Sequence, residues 1–189
     1  MKHFDLLKNL SIYFIVVFSS ICCSQQQSSK QSDPLKPGVR FPKIELYLHS
    51  GKKVTNEYFK DHVVILDFWA SWCHACVSAM PLMHKLQEKY SDKKFKIIGI
   101  NVGDSPKDWA ENLKDIKFLF NSRGEVEFNH DVAINKDEIN DNLAAKLGLV
   151  GIPQFVILDK TGKVEIILPG YSKKRGKQIT EIVEQLLAK

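Results

Sequence analysis

Val63-Val64-Ile65-Leu66-Asp67-Phe68-Trp69-Ala70-Ser71-Trp72-Cys73-His74-Ala75-Cys76 is the stretch from which the fold can be read. Val63 to Phe68 is a short run of branched and aromatic residues, the pattern of a strand buried on both faces. It leads directly into a C-x-x-C pair. From His74 to about Tyr90 the apolar residues Val77, Met80, Met83 and Leu86 recur at helical spacing, so the cysteines belong at a strand-to-helix junction. Pro81 falls inside this helix and is expected to kink it. Two thiols three positions apart at a helix start form a disulfide that can exchange. A thiolate there feels unpaired N–H groups and the positive end of the dipole, which lowers its pKa. Cys73, at the exposed junction, is the expected attacking thiol and Cys76 the resolving one. Asp67 stands near the end of the buried strand, six residues before Cys73. In an apolar setting its carboxyl has a raised pKa, which suits a base that takes the proton of Cys76; the alternative reading is an acid exposed at a strand end.

Outward from this junction, Val39 to Leu48 and Lys52 to Thr55 flank Ser50-Gly51 and read as an N-terminal β-hairpin. Phe95 to Asn101 is a second buried strand. Ser105-Pro106 opens a helix through about Leu113, and Phe118 to Phe120 reads as an edge strand followed by an irregular excursion through Gly124. Asp137 to Leu147 is helical and ends at Gly148, a natural C-terminal cap. Gln154 to Leu158 and Val164 to Leu168, joined by Asp159-Lys160-Thr161-Gly162, form an antiparallel hairpin. An amphipathic helix from about Lys177 to Ala188 closes the chain. A βαβ unit followed by a hairpin and a helix makes an α/β fold, a mixed central sheet with helices on both faces and an N-terminal hairpin extension.

With 189 residues, 44% hydrophobic and 26% charged, the chain has the size of one globular domain with some length left for appendages. The surplus lies at the front. Lys2 and Lys8 precede the apolar run Leu10 to Phe18, too short to span a bilayer comfortably and shaped like a secretory signal. Residues 1–23 are therefore read as a signal peptide, 24–37 as a flexible tether rich in Gln, Ser and Lys, and 38–189 as the folded domain. Ser19-Ser20-Ile21-Cys22-Cys23 resembles a bacterial lipoprotein signal, with Cys22 and Cys23 as lipidation candidates; the other reading is ordinary cleavage near Ser19 and a soluble secreted product. The formal net charge of +5 is scattered, with no block dense enough to argue for nucleic acid. Beyond the signal boundary only Cys73 and Cys76 remain, so no structural disulfide framework is possible, and closing so short a loop braces little.

Asp67 through Cys76, Pro81 inside the following helix, and Gly151-Ile152-Pro153 before the next strand together resemble the thioredoxin superfamily over about residues 37 to 189. The hairpin, the export signal and the insertion before Gly151 are similar to its membrane-tethered TlpA/ResA/DsbE-type branch, redoxin-like lipoproteins that exchange thiols with extracytoplasmic disulfides. Two positions depart from that branch: Ala75, where a proline is common, and Ala79, where some members carry a glutamate.

The resemblance implies a thioredoxin-like thiol–disulfide oxidoreductase acting through the Cys73–Cys76 pair, more as reductant than oxidant, with no cofactor or metal. Asp67, Cys73 and Cys76 would be catalytic. Pro153, cis in the family, would present the Ile152 backbone to an extended substrate segment, and Trp72 and His74 would frame the site. A protonated His74 adds positive charge beside Cys73; a solvent-exposed side chain with little influence is the equal alternative. Trp69 reads either as a wall of the site or as core, and His49, His62, His84 and His130 as surface or packing residues. Implied partners are disulfide-containing extracytoplasmic proteins, apocytochrome c among them, a membrane thiol electron donor, and the membrane through a lipid anchor. A Cu(I) metallochaperone that binds through Cys73, Cys76 and a histidine such as His130 is the competing function.

Overall fold

A computed structural model of the chain describes residues 34–105, 130–134, 136 and 139–189. The signal with Cys22 and Cys23, most of the tether, the helix expected from Pro106, the strand at 118–120 and the turn at Gly124 lie outside the described residues.

The central strand β3 (Val63–Trp69) is buried at every position, because it is paired on both edges and covered on both faces. The strands β1 (Glu45–Tyr47) and β2 (Lys53–Thr55) form a separate antiparallel hairpin ahead of it. Helix α1 (His74–Lys89) follows β3, then β4 (Phe95–Asn101), β5 (Asp131–Ala133), helix α2 (Ile139–Lys146), β6 (Gln154–Leu158), β7 (Val164–Pro169) and helix α3 (Lys173–Ala188). The sheet order is β5-β4-β3-β6-β7. β4 runs parallel to β3 and β5 parallel to β4; β6 is antiparallel to β3 and β7 to β6. This is the mixed sheet of the thioredoxin fold.

Because side chains alternate along a strand, β3 divides the interior into two cores. Val63 and Ile65 face α1 and α3, packing with Ala79, Met83, Leu86, Ile179, Val183 and Leu186. Val64, Leu66 and Phe68 point the other way, onto the hairpin residues Leu46 and Val54 and onto Leu143, Ala144 and Leu147 at α2. Each fully buried aliphatic side chain contributes roughly 1.5–3 kcal/mol relative to exposure, so these layers supply most of the favourable free energy. Helices do cover both faces, as the element order implies.

The structure corrects two boundaries and adds a strand. The first hairpin strand is only Glu45–Tyr47, not Val39 to Leu48, because the preceding segment pairs elsewhere: Arg40 bridges to Lys163, and the Phe41 N–H donates to the Gly162 carbonyl at 2.9 Å. The hairpin itself closes the β5 edge, with Leu48 bridged to Ala133 and the Ile134 N–H donating to the Tyr47 carbonyl at 2.8 Å. That removes an open strand edge. Strand β5, a three-residue piece with no local signature, was not legible in the sequence. The last helix begins at Lys173, four residues before the expected Lys177, since the Ser172 side chain accepts the Arg175 N–H at 3.1 Å and caps it. Gly176 is tolerated in the first turn because a Cβ there would lie 3.1 Å from the Leu82 side chain.

Candidate active site

Strand β3 ends at Trp69, and the chain turns through Ala70–Cys73 with the Cys73 N–H donating to the Ala70 carbonyl at 3.2 Å. Cys73 is thereby the N-cap residue of α1, a position usually held by a side-chain oxygen. Here a sulfur does the work: Cys73 Sγ accepts the Cys76 N–H at 3.2 Å. Cys73 and Cys76 form a disulfide, with Cα atoms 5.2 Å apart. Cys73 is 7% exposed and Cys76 1%. The junction is less open than the sequence implies, because both cysteines belong to a buried cluster with Trp69, Ala70, Met80 and Val132, against which Ile152 packs. Cys73 is nevertheless the more accessible, and among the described residues only its sulfur has an N–H aimed at it, which stabilises negative charge there.

Asp67 lies on β3 between Ile65 and Trp69, on the face that meets α1. Ile65 packs with Ala79 of α1, and Trp69 with Cys76 and Met80, so the carboxyl sits beneath the first turns of the cysteine helix. It is 2% exposed and its Oδ1 has no hydrogen-bond partner. Burial pushes it up to about 7. The reading of Asp67 as an exposed strand-end acid is therefore overturned.

The Ile152–Pro153 peptide is cis, and Gly151 before it has φ +80°, a left-handed conformation that favours glycine. Ile152 packs against the cluster that holds both cysteines. The Pro153 carbonyl accepts the Gly170 N–H at 2.8 Å, which ties the end of β7 to this loop. Trp72 is 62% exposed, its indole Nε1–H donating to the Gly103 carbonyl at 3.4 Å. Beside it runs a groove of about 320 Å³ lined by Phe68, Val102, Ala144, Leu149 and Ile152. Trp72 and Val150 are the exposed large hydrophobic side chains of the described residues, and both border this end of the molecule. His74 is exposed on the first turn of α1, its carbonyl accepting the Ser78 hydroxyl. Trp69 is core, at 1% exposure.

One arrangement had no counterpart in the sequence reading. Asp104, 4% exposed, accepts the Ser71 N–H and the Ser71 hydroxyl, both at 2.9 Å, and the Asn101 amide at 2.5 Å. Asn140 at the start of α2 donates to the Asn101 carbonyl at 3.0 Å and the Ile134 carbonyl at 2.7 Å. This network anchors the segment just ahead of Trp72 and Cys73 to the ends of β4 and β5. Its only sequence signal is the run of polar residues where buried β4 stops. His84 is buried on α1, and burial together with the neighbouring His84 lowers His130 to about 3. Among the described residues, no group of three or more His, Cys, Asp and Glu side chains is placed to hold a metal ion, and nothing supports the copper alternative.

A buried exchangeable disulfide at a capped helix start, beside a cis-proline loop and over a carboxyl, defines a thioredoxin-type dithiol oxidoreductase. The model of the redoxin family matches residues 36–186. Among named relatives, a thiol-disulfide oxidoreductase ResA of Bacillus anthracis is 32% identical over 151 residues, covering 75% of this chain and 80% of the relative. The thioredoxin-like protein YneN of Bacillus subtilis is 29% identical over 150 residues, 79% of this chain and 81% of the relative. A solved Chlorobium tepidum structure described as a thiol:disulfide interchange protein DsbE superposes with a TM-score of 0.68 at 26% identity, covering 81% of this chain and 99% of the other. The chain belongs to the redoxin family and is a TlpA/ResA/DsbE-like thiol–disulfide oxidoreductase of the thioredoxin superfamily.

Proposed function

We propose that the protein is an extracytoplasmic reductant of protein disulfides, tethered to a bacterial membrane through a lipid on Cys22 or Cys23. Relatives named thiol-disulfide oxidoreductase ResA and thiol:disulfide interchange protein DsbE support the thiol exchange, and the signal-like N-terminus supports the placement. The proposed tether rests on the N-terminal signal; among the described residues no helix is long and apolar enough to cross a membrane. Apocytochrome c is one candidate substrate class and a membrane dithiol protein the electron donor.

The reaction begins with the Cys73 thiolate attacking one sulfur of the substrate disulfide. A mixed disulfide forms, and the first substrate thiolate leaves and takes up a proton. Asp67 removes the proton of Cys76, whose thiolate then attacks the Cys73 sulfur. The second substrate thiolate departs and is protonated, two electrons having passed to the substrate and the Cys73–Cys76 disulfide having formed. Trp72 and the apolar groove take a side chain flanking the substrate cysteine. The Ile152 backbone, to which nothing hydrogen-bonds among the described residues, offers pairing to an extended segment.

The observation that carries this reading is the buried carboxyl of Asp67 beneath the helix of Cys76, its Oδ1 without a hydrogen-bond partner and its pKa raised by burial to about 7. Equilibration of the Cys73–Cys76 pair against thiol–disulfide buffers tests it. A potential near −270 mV, the thioredoxin end of the scale, is expected for a reductant; one near −120 to −180 mV would make the protein an oxidase or isomerase. Mass spectrometry of the membrane-extracted protein, with Cys22→Ser and Cys23→Ser, tests the anchor: loss of a diacylglycerol adduct in one variant identifies the modified cysteine.

A further inference from the structure

The two flanks of the disulfide are chemically unlike. On the α2 side lies the apolar groove, whose one acidic lining residue, Asp141, is occupied in accepting the Gly103 N–H at 2.7 Å. On the other side the Gly170 N–H donates to the Pro153 carbonyl, and three residues later α3 begins. At about 3.3–3.6 Å per extended residue, Lys173 is within roughly 10 Å of Gly170.

That helix opens with Lys173, Lys174, Arg175 and Lys177 and has no acid in its first turn. Cations at a helix N-terminus oppose the dipole, so the arrangement is unfavourable for the helix itself. Among the described residues no carboxylate forms an ion pair with any of the four, whereas Lys53 pairs with Glu45 at 2.7 Å and Lys89 with Glu184 at 2.8 Å. Arg175 bonds the neutral Gln178. Of the two acids of α3, Glu184 is engaged by Lys89 and Tyr90, and Glu181 lies further along, at the edge of the shallow cleft that Lys174, Arg175, Lys177 and Gln178 line. Lys173, Lys174 and Lys177 are exposed.

We propose that Lys173, Lys174, Arg175 and Lys177 form a cationic rim that docks an acidic stretch of the substrate polypeptide beside its target disulfide. The proposal rests on the disulfide-reductant reading and specifies its substrate class. A segment laid across Cys73 and along the cis-proline loop reaches both flanks, placing an apolar side chain in the groove and carboxylates on the rim. Opposite charges steer encounter as well as fix register, and exposed pairs of this kind are screened by salt.

The test uses the full chain in its reduced form and two disulfide-bridged peptides that differ only in flanking residues, Asp and Glu in one, Asn and Gln in the other. At low ionic strength the acidic peptide is expected to be reduced about tenfold faster, an advantage of the size electrostatic steering supplies. In K173Q/K174Q/K177Q the two rates converge to within about twofold, and K173R/K174R/K177R retains the preference, as a purely charge-based contact demands. Adding about 0.5 M salt to the native protein equalises the peptides as well. Equal rates for both peptides with the native protein would overturn the rim while leaving the reductant reading standing. So would equal slowing of both by the glutamine variant, or charge-dependent binding to phosphatidylglycerol vesicles with no peptide preference. Failure to reduce either peptide, or oxidised glutathione, would overturn both.

Discussion

Two buried aspartates flank the cysteine motif, and they are treated in opposite ways. Asp104 receives the Ser71 backbone, the Ser71 hydroxyl and the Asn101 amide. Asp67, equally hidden, has an oxygen with no partner at all and a carboxyl raised to about 7. A carboxyl wrapped in donors holds its neighbours in place; one stranded in an apolar layer exchanges its proton near neutral pH. Position and proton transfer are thus assigned to different residues, one behind the motif and one beneath it.

The sharpest way to break this contrast is through stability against pH. The native state keeps the Asp67 proton up to about pH 7, whereas the unfolded chain releases it near 3.8, so between these values the folded form binds more protons. Stability contributed by Asp67 is then greatest at the acid end and declines as pH rises toward 7, by an upper limit of about 4 kcal/mol at ~1.4 kcal/mol per pH unit. Denaturant midpoints of Asp67→Asn are expected to lack this decline, leaving the variant more stable than the native chain at neutral pH. An unchanged slope would show that the carboxyl is solvated.

Asp104→Ala removes the acceptor of three bonds and leaves buried donors behind, which is expected to cost about 3 kcal/mol in urea unfolding. Its rate profile should still contain the group titrating near 7, because that group is Asp67. Next in size, Asp67→Asn should slow resolution of the mixed disulfide at pH 7 by about 10²-fold, equivalent to ~2.7 kcal/mol, with the attack of Cys73 little changed. Stopped-flow Trp fluorescence separates the two steps; equal slowing of both would remove Asp67 from proton transfer. The smallest effect is expected for Ser71→Ala, about 1 kcal/mol, since the backbone N–H to Asp104 survives.

Much of the site was legible because it is written locally. Val63 to Phe68 reads as a doubly buried strand from its side chains alone, and the same reading strands Asp67 in apolar surroundings. The C-x-x-C at the strand end and the glycine before Ile152-Pro153 are equally local. What escaped was whatever depends on a partner distant in sequence. Strand β5 exists because Ile98–Ile100 and the hairpin give three residues a place to pair. Val39 to Phe41 left the expected hairpin because the β6–β7 turn offered it other partners. Asp104 serves Ser71 across 33 residues.

The amino-acid sequence by itself determined the chemistry: two thiols at a helix start, an acid on the strand beneath, and a proline-bearing loop to meet them, since backbone propensity and burial pattern act over a few residues. Tertiary structure alone decided which acid kept an oxygen without a donor, which thiol kept access to solvent, and that Gly170, just ahead of the last helix, is bonded to the cis-proline loop. Those outcomes depend on desolvation and on donors brought from far along the chain, and neither is a property of any local segment.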